Sequence, residues 1–222
     1  MANVEAVLKV GGSLAEGDAL VPLCRMIGEL ATLHRLLVVP GGGPFADTVR
    51  HFYRRWRLSE TAAHSMAILG MDQYGHLLCD LIPGAVPVFS LISVEHMLRE
   101  RRVPVLIPSQ LMAHADALPH SWMVTSDSIA AWVATLVGPA QLILLKNVDG
   151  LCTPEPRLTG GSRLVAEVTA DHLAGYGVVD DYLGELLAAN PVDAWIVNGG
   201  QPERLAELLA RGWTQGTHVL AE

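Results

Sequence analysis

Three strand-like segments of this sequence run directly into glycine: Lys9-Val10-Gly11-Gly12-Ser13, Val39-Pro40-Gly41-Gly42-Gly43-Pro44 and Val197-Asn198-Gly199-Gly200-Gln201-Pro202. Glycine after a buried strand lets backbone N–H groups approach phosphate oxygens, and a helix starting there adds a favourable dipole. One such turn is ordinary; three after buried strands point to an anion site. The only two lysines, Lys9 and Lys146, bear on the same chemistry. An ammonium at Lys9, beside the Gly11 and Gly12 amides, can follow charge developing on phosphoryl oxygens. Lys146 borders Asn147, Asp149 and Gly150; it either reaches a phosphate or simply ends a strand. Neither G-x-G-x-x-G nor G-x-x-x-x-G-K-[ST] occurs, which argues against a Rossmann dinucleotide site and a P-loop. No H-x-x-x-H or H-E-x-x-H pattern occurs among the nine histidines, so no protein-held metal centre is expected.

The elements that must position these residues alternate. Short runs rich in Val, Ile and Leu predict strands at 4–10, 36–39, 86–89, 103–107, 141–145, 194–197 and 217–220. Between them, helices are expected at 18–33, from Pro44 onward, at 59–80 with Ser59 as N-cap, and at 93–100, 126–137, 180–189 and 202–210. Residues 150–162 read as a loop. This is the βαβ pattern of an α/β protein with a mainly parallel sheet. At the carboxyl ends of such strands ligands bind. A lobe boundary is expected near 110–120, within one domain spanning 1–222.

Composition excludes several classes. The net charge of −8 lies entirely in the second half: residues 1–111 hold 10 acids and 10 bases, residues 112–222 hold 13 and 5. Such a chain is a poor nucleic-acid binder. Arg50, Arg54, Arg55 and Arg57 form either a solvated helix face or an anion-handling patch. Three separated cysteines without a CxxC pair fit a reducing, cytoplasmic setting. No apolar run approaches the ~20 residues of a membrane span, and no leader is expected.

Five ordered segments resemble the amino acid kinase family. Lys9 to Ser13 resembles its K-x-G-G-S phosphate loop, and Pro40 to Gly43 its second glycine loop. Thr125-Ser126-Asp127-Ser128 resembles the "N/T-x-D-x-x-A" segment, Leu145 to Gly150 the nucleotide-side "TDVDGVY" segment, and Ile196 to Gly200 with Gly216-Thr217 the closing strands. The resemblance implies a three-layer αβα sandwich, an acceptor-side lobe at 1–112 and an ATP-side lobe at 113–222. It implies γ-phosphoryl transfer from ATP, with Mg²⁺ held mainly by the phosphates. Lys9, Asp127 and Asp180 are then catalytic. Gly11, Gly12, Ser13, Lys146, Asn147, Asp149 and Gly150 hold ATP. Gly41, Gly42, Gly43, His64, Thr125 and Ser126 face the acceptor. Asp127 would orient the catalytic lysine, although Ser126 or Asp127 also suits a helix cap, Asp149 a turn and His64 a core position.

One departure matters. The second lysine of amino-acid-phosphorylating members has no counterpart at 177–182, where Asp180 or Asp181 stands instead to position Mg²⁺ or a lysine. This points to an acceptor that is itself a phosphate. Residues 62–75 and 122–129 resemble a branch that phosphorylates an aminomethylfuranmethyl phosphate in methanofuran-type cofactor synthesis, with His64, Met66, Met71 and Gln73 toward the acceptor. Uridylate-like or acetylglutamate-like kinases are the alternatives, then a non-catalytic nucleotide or oxyanion binder, then a dinucleotide oxidoreductase. The resemblance also implies a homo-oligomer, with Trp56, Trp132 and Tyr74 either at an interface or in the core.

Overall fold

Each short apolar run becomes a strand and each intervening amphipathic stretch a helix in the computed structural model, which describes residues 4–153 and 163–220. The elements are β1 (Ala6–Val10), α1 (Leu20–Leu30), β2 (Leu36–Pro40), α2 (Gly43–Trp56), α3 (Glu60–Leu81), β3 (Ala85–Val88), α4 (Leu91–Arg99), β4 (Val103–Leu106), α5 (Ser109–Ala115), α6 (Ser126–Val137), β5 (Gln141–Lys146), β6 (Glu167–Thr169), α7 (Leu183–Ala189), β7 (Ala194–Asn198), α8 (Pro202–Arg211) and β8 (Gly216–Leu220). The expected loop at 150–162 lies largely outside the described residues.

The strands form one sheet in the order β3-β4-β2-β1-β5-β7-β8-β6. Neighbours pair in parallel except β7 and β8, which are antiparallel. Strands from the first half of the chain lie on one side of the β1–β5 seam, and strands from the second half on the other. At this seam the connections lead away in opposite directions, which opens a crevice at the carboxyl ends of β1 and β5.

Side-chain alternation separates two cores. Val7, Leu142 and Leu144 pack with α6, whereas Leu8, Val10, Ile143 and Leu145 pack with α1 and α8. Helix, sheet and helix layers make a three-layer αβα sandwich. Each fully buried Leu, Ile or Val contributes about 1.5–3 kcal/mol, enough in aggregate to offset a few buried charges. Lys9 shares the face of Val7, and Lys146 the face of Leu144. Because Lys9 is level with Leu144 across the β1–β5 ladder, the two lysines rise on the same face, one step apart.

Helix α6 spans the expected residues, and Ser59 caps α3 by accepting the Ala62 N–H at 3.2 Å. Helix α7 is shorter than expected because 177–182 forms a loop. Tyr74 and Trp132 are core residues, at 0% and 8% exposure, while Trp56 is exposed. No helix among the described residues is long and apolar enough to cross a membrane.

Candidate active site

The first two glycine turns close on each other above β1 and β2. A Cβ on Gly12 would lie 2.3 Å from the Gly43 nitrogen, so only glycine allows this approach. Gly11 and Gly41 sit just behind, their N–H groups bonded to Leu145 O and Val10 O at 2.8 Å. Gly12, Ser13, Gly42 and Gly43 remain facing a cavity of about 420 Å³. The third glycine turn does not line it: Gly200 N–H is taken by the Asn198 side chain at 2.8 Å.

Lys9, Lys146 and Asp127 form the cavity floor, all at most 9% exposed. Lys146 Nζ donates to Asp127 Oδ2 at 2.6 Å and to Val178 O at 2.9 Å. Lys9 Nζ lies 2.8 Å from Asp127 Oδ1 but off the hydrogen-bond direction, so Oδ1 has no well-aligned donor. Burial pushes the Asp127 pKa up, yet the two lysines outweigh it and hold the carboxyl at about 2. Burial first, then the Lys9 charge, bring Lys146 down to about 8, with Asp127 and Asp180 opposing. Two ammoniums on one carboxylate leave a formal charge of +1 where water is scarce, which strengthens its pull on phosphoryl oxygens. The N-terminus of α6, with Thr125 and Ser126 on the cavity wall, adds its dipole to the same point.

The opposite end is built by α2, α3 and the segment before α6. His64, Ile68 and Met71 line it. Met66 and Gln73 do not: α3 turns them outward, a correction to the expected acceptor face. His64 stacks on His120 with centroids 4.5 Å apart. Burial, then the His120 charge, lower its pKa, so it is a neutral ring there at pH 7. The arginine cluster divides. Arg50 turns inward, 4.8 Å above the Trp122 ring and 2.7 Å from Asp47, while Arg54 and Arg55 face solvent. Sequence reading missed Asp47, Glu60 and Trp122 on this wall. The available signal was helical period: Asp47 and Arg50 follow Gly43 by one and two turns of α2.

Asn147 lines the cavity; Asp149 and Gly150 do not. Asp149 accepts from Arg204 Nη1 at 2.6 Å and Asn198 Nδ2 at 2.8 Å, tying the end of β5 to α8. Gly150 takes a φ of +144° where Thr217 crowds its Cβ position, and the Thr217 hydroxyl accepts the Leu151 N–H. Asp180 caps α6 from below the floor, and Asp181 is exposed. Among the described residues, no three carboxylate, His or Cys groups cluster as metal ligands. The one central carboxylate is held by two lysines. The residues fit a nucleotide phosphate tail; they offer a divalent ion little beyond what the phosphates themselves bring.

Comparison with known proteins agrees with this geometry. The model of the amino acid kinase family matches residues 5–189. A [5-(aminomethyl)furan-3-yl]methyl phosphate kinase of Methanocaldococcus jannaschii is 29% identical, over 91% of this chain and 92% of its own. A uridylate kinase of Pyrobaculum calidifontis is 27% identical, over 96% and 98%. Among solved structures, uridylate kinase from Archaeoglobus fulgidus matches with a TM-score of 0.76 at 22% identity, covering 97% of this chain and all of that one. The chain belongs to the amino acid kinase family and is a phosphotransferase.

Proposed function

We propose that this phosphotransferase moves the γ-phosphoryl group of ATP onto the phosphate of [5-(aminomethyl)furan-3-yl]methyl phosphate, giving its diphosphate and ADP. One observation carries the transfer reading: Lys9 and Lys146 converge on Asp127 at the seam between β1 and β5. An acceptor phosphate oxygen attacks the γ-phosphorus as its bond to the bridging oxygen of ADP breaks. Charge spreads over three equatorial oxygens, and the reaction needs alignment and positive charge more than covalent chemistry. In this reading the two lysines follow that charge and Asp127 keeps them apart and in place. Gly12, Ser13 and Asn147 hold ATP. Gly42, Gly43, Thr125 and Ser126 hold the acceptor phosphate. Mg²⁺ arrives on ATP and supplies further charge neutralisation when bound.

Two observations support this acceptor over a nucleotide. The named relative from Methanocaldococcus is 29% identical, against 27% for the uridylate kinase of Pyrobaculum calidifontis. The far end of the cavity is also acidic: Asp47 and Glu60 line it against Arg50 alone, and Arg50 is already paired with Asp47. A dipolar acceptor, phosphate at one end and ammonium at the other, complements a cavity with lysines at one end and carboxylates at the other. The sheet seam supports an acceptor-side lobe at 1–112 and an ATP-side lobe at 113–222. Free cysteines support a cytoplasmic setting, and the exposed Trp56, Met66 and Leu69 support a homo-oligomer.

An ADP-release assay tests the reading with uridylate, acetylglutamate, isopentenyl phosphate and the aminomethylfuran phosphate as acceptors. The last is expected to give the highest kcat/KM. Higher turnover of any other acceptor would refute the assignment, and ATP binding without any ADP release would favour a non-catalytic binder.

A further inference from the structure

Five donors converge on the Asp180 carboxylate. Oδ2 accepts the Thr125 N–H and the Thr125 hydroxyl, both at 2.8 Å, and the Ser128 N–H at 3.0 Å. Oδ1 accepts the Ser128 hydroxyl and the Leu183 N–H, the latter at 3.0 Å. Thr125, at the N-cap of α6, makes no side-chain cap of its own. The carboxylate therefore caps α6 across more than 50 residues of chain and serves the start of α7 with the same atoms. Two carboxylate oxygens offer about four lone-pair directions, so five donors leave none for a metal ion. Two residues earlier in the same loop, Val178 O accepts the Lys146 ammonium at 2.9 Å. The loop is thus fastened at Asp180 to the helix that carries Asp127, and at Val178 to the lysine that Asp127 holds.

We propose that Asp180 is a positioning residue: it straps loop 177–182 onto the start of α6 and so fixes both Asp127 and the Lys146 ammonium beneath the transferred phosphoryl group. Its charge acts as well as its shape. The charged groups facing Lys146 are Lys9 from β1, Asp127 from α6 and Asp180 from the loop. Lys9 disfavours the Lys146 charge, and both aspartates favour it. Removing the Asp180 charge therefore loosens the strap and lowers the pH at which Lys146 loses its proton. The kinetic consequence rests on the role given to Lys146 above; the structural consequence does not.

The chain's two lysines make the experiment clean. Labelling lysine with ¹³C at Cε gives one resonance for each, and Lys146→Arg identifies which is which. In the wild type the Lys146 resonance should titrate near pH 8. Asp180→Asn should lower that midpoint, and kcat should fall at both pH values, by a factor at least about twofold larger at pH 8 than at pH 6.5. Ser128→Ala, which removes one donor and keeps the charge, should leave the midpoint in place. An unchanged midpoint in Asp180→Asn, or an equal loss of kcat at both pH values, overturns the proposal. Should Asp180→Asn fail to fold, Asp180→Glu takes its place: the charge is kept and the cap displaced, so kcat should fall at both pH values, and an unchanged kcat overturns the strap. If the wild type turns over no acceptor, the functional reading fails, while the midpoint in Asp180→Asn still decides the strap.

Discussion

Lys146 Nζ lies 2.6 Å from Asp127 Oδ2, while Lys9 stands 2.8 Å from the other oxygen of the same carboxylate. One buried acid therefore organises two cations delivered by neighbouring parallel strands, and this arrangement has direct consequences for activity, pH dependence and stability.

Loss of Lys146 should resemble loss of an oxyanion donor. Lys146→Met should lower kcat by about 10²–10³-fold with a much smaller change in KM for ATP. Lys146→Arg should not restore it, because a planar guanidinium cannot occupy the compact ammonium position between Asp127 and Val178 O. Steady-state ADP release, with a melting curve to show that each variant folds, checks both.

The pH dependence follows from Lys146 at about 8. Activity should decline on the alkaline side with a midpoint near that value. Stability should move the other way. The folded pKa lies below that of the unfolded lysine, about 10.4, so between these values the unfolded chain binds more protons. This residue therefore makes the ligand-free protein more stable as pH rises through that window. Cys24 and Cys79, pushed up by burial to about 12 and about 11, act in the opposite sense in both proteins, so urea unfolding should show the wild type gaining stability relative to Lys146→Met between pH 8 and pH 10.

Asp127→Asn leaves two buried ammoniums beside each other. Breaking a buried pair on one side costs about 3–5 kcal/mol, and inorganic phosphate should recover part of it by replacing the lost negative charge. Denaturant curves with and without phosphate measure the effect. In the wild type, the contribution of Asp127 is present above the ordinary carboxylate range and is lost as pH falls through about 2.

Glu60 opens the first turn of α3, where the Tyr53 hydroxyl donates to its Oε1. If the acceptor ammonium lies at this end, Glu60→Gln should raise KM for the aminomethyl acceptor about tenfold and leave KM for a methyl-substituted analogue unchanged. Equal effects on the two acceptors would remove Glu60 from amine recognition.

The parts of the fold governed by local pattern were legible in the sequence. Strand runs ending in glycine located the two loops that close on the cavity, and Ser126 to Val137 read correctly as a helix because its small and apolar residues are continuous. Helix α5 was hidden: it has only seven residues, between Pro108 and a residue in the left-handed conformation, Asp116. β6 has three residues and is held in the sheet by β8, a partner some 50 residues later. The site divides in the same way. Lys9 announced itself beside its glycines. The place of Lys146 under the cavity depends on strand register, and the cap that Asp180 provides depends on a contact across more than 50 residues of chain; local spacing encodes neither.

The account is tested most directly by watching the product form. With ATP, Mg²⁺ and [5-(aminomethyl)furan-3-yl]methyl phosphate, ³¹P NMR of the wild-type reaction should show two coupled doublets of a diphosphate monoester growing with ADP, and Lys9→Met should show neither. ADP appearing with inorganic phosphate alone, or an unaltered acceptor resonance after ATP is consumed, would contradict transfer to this acceptor.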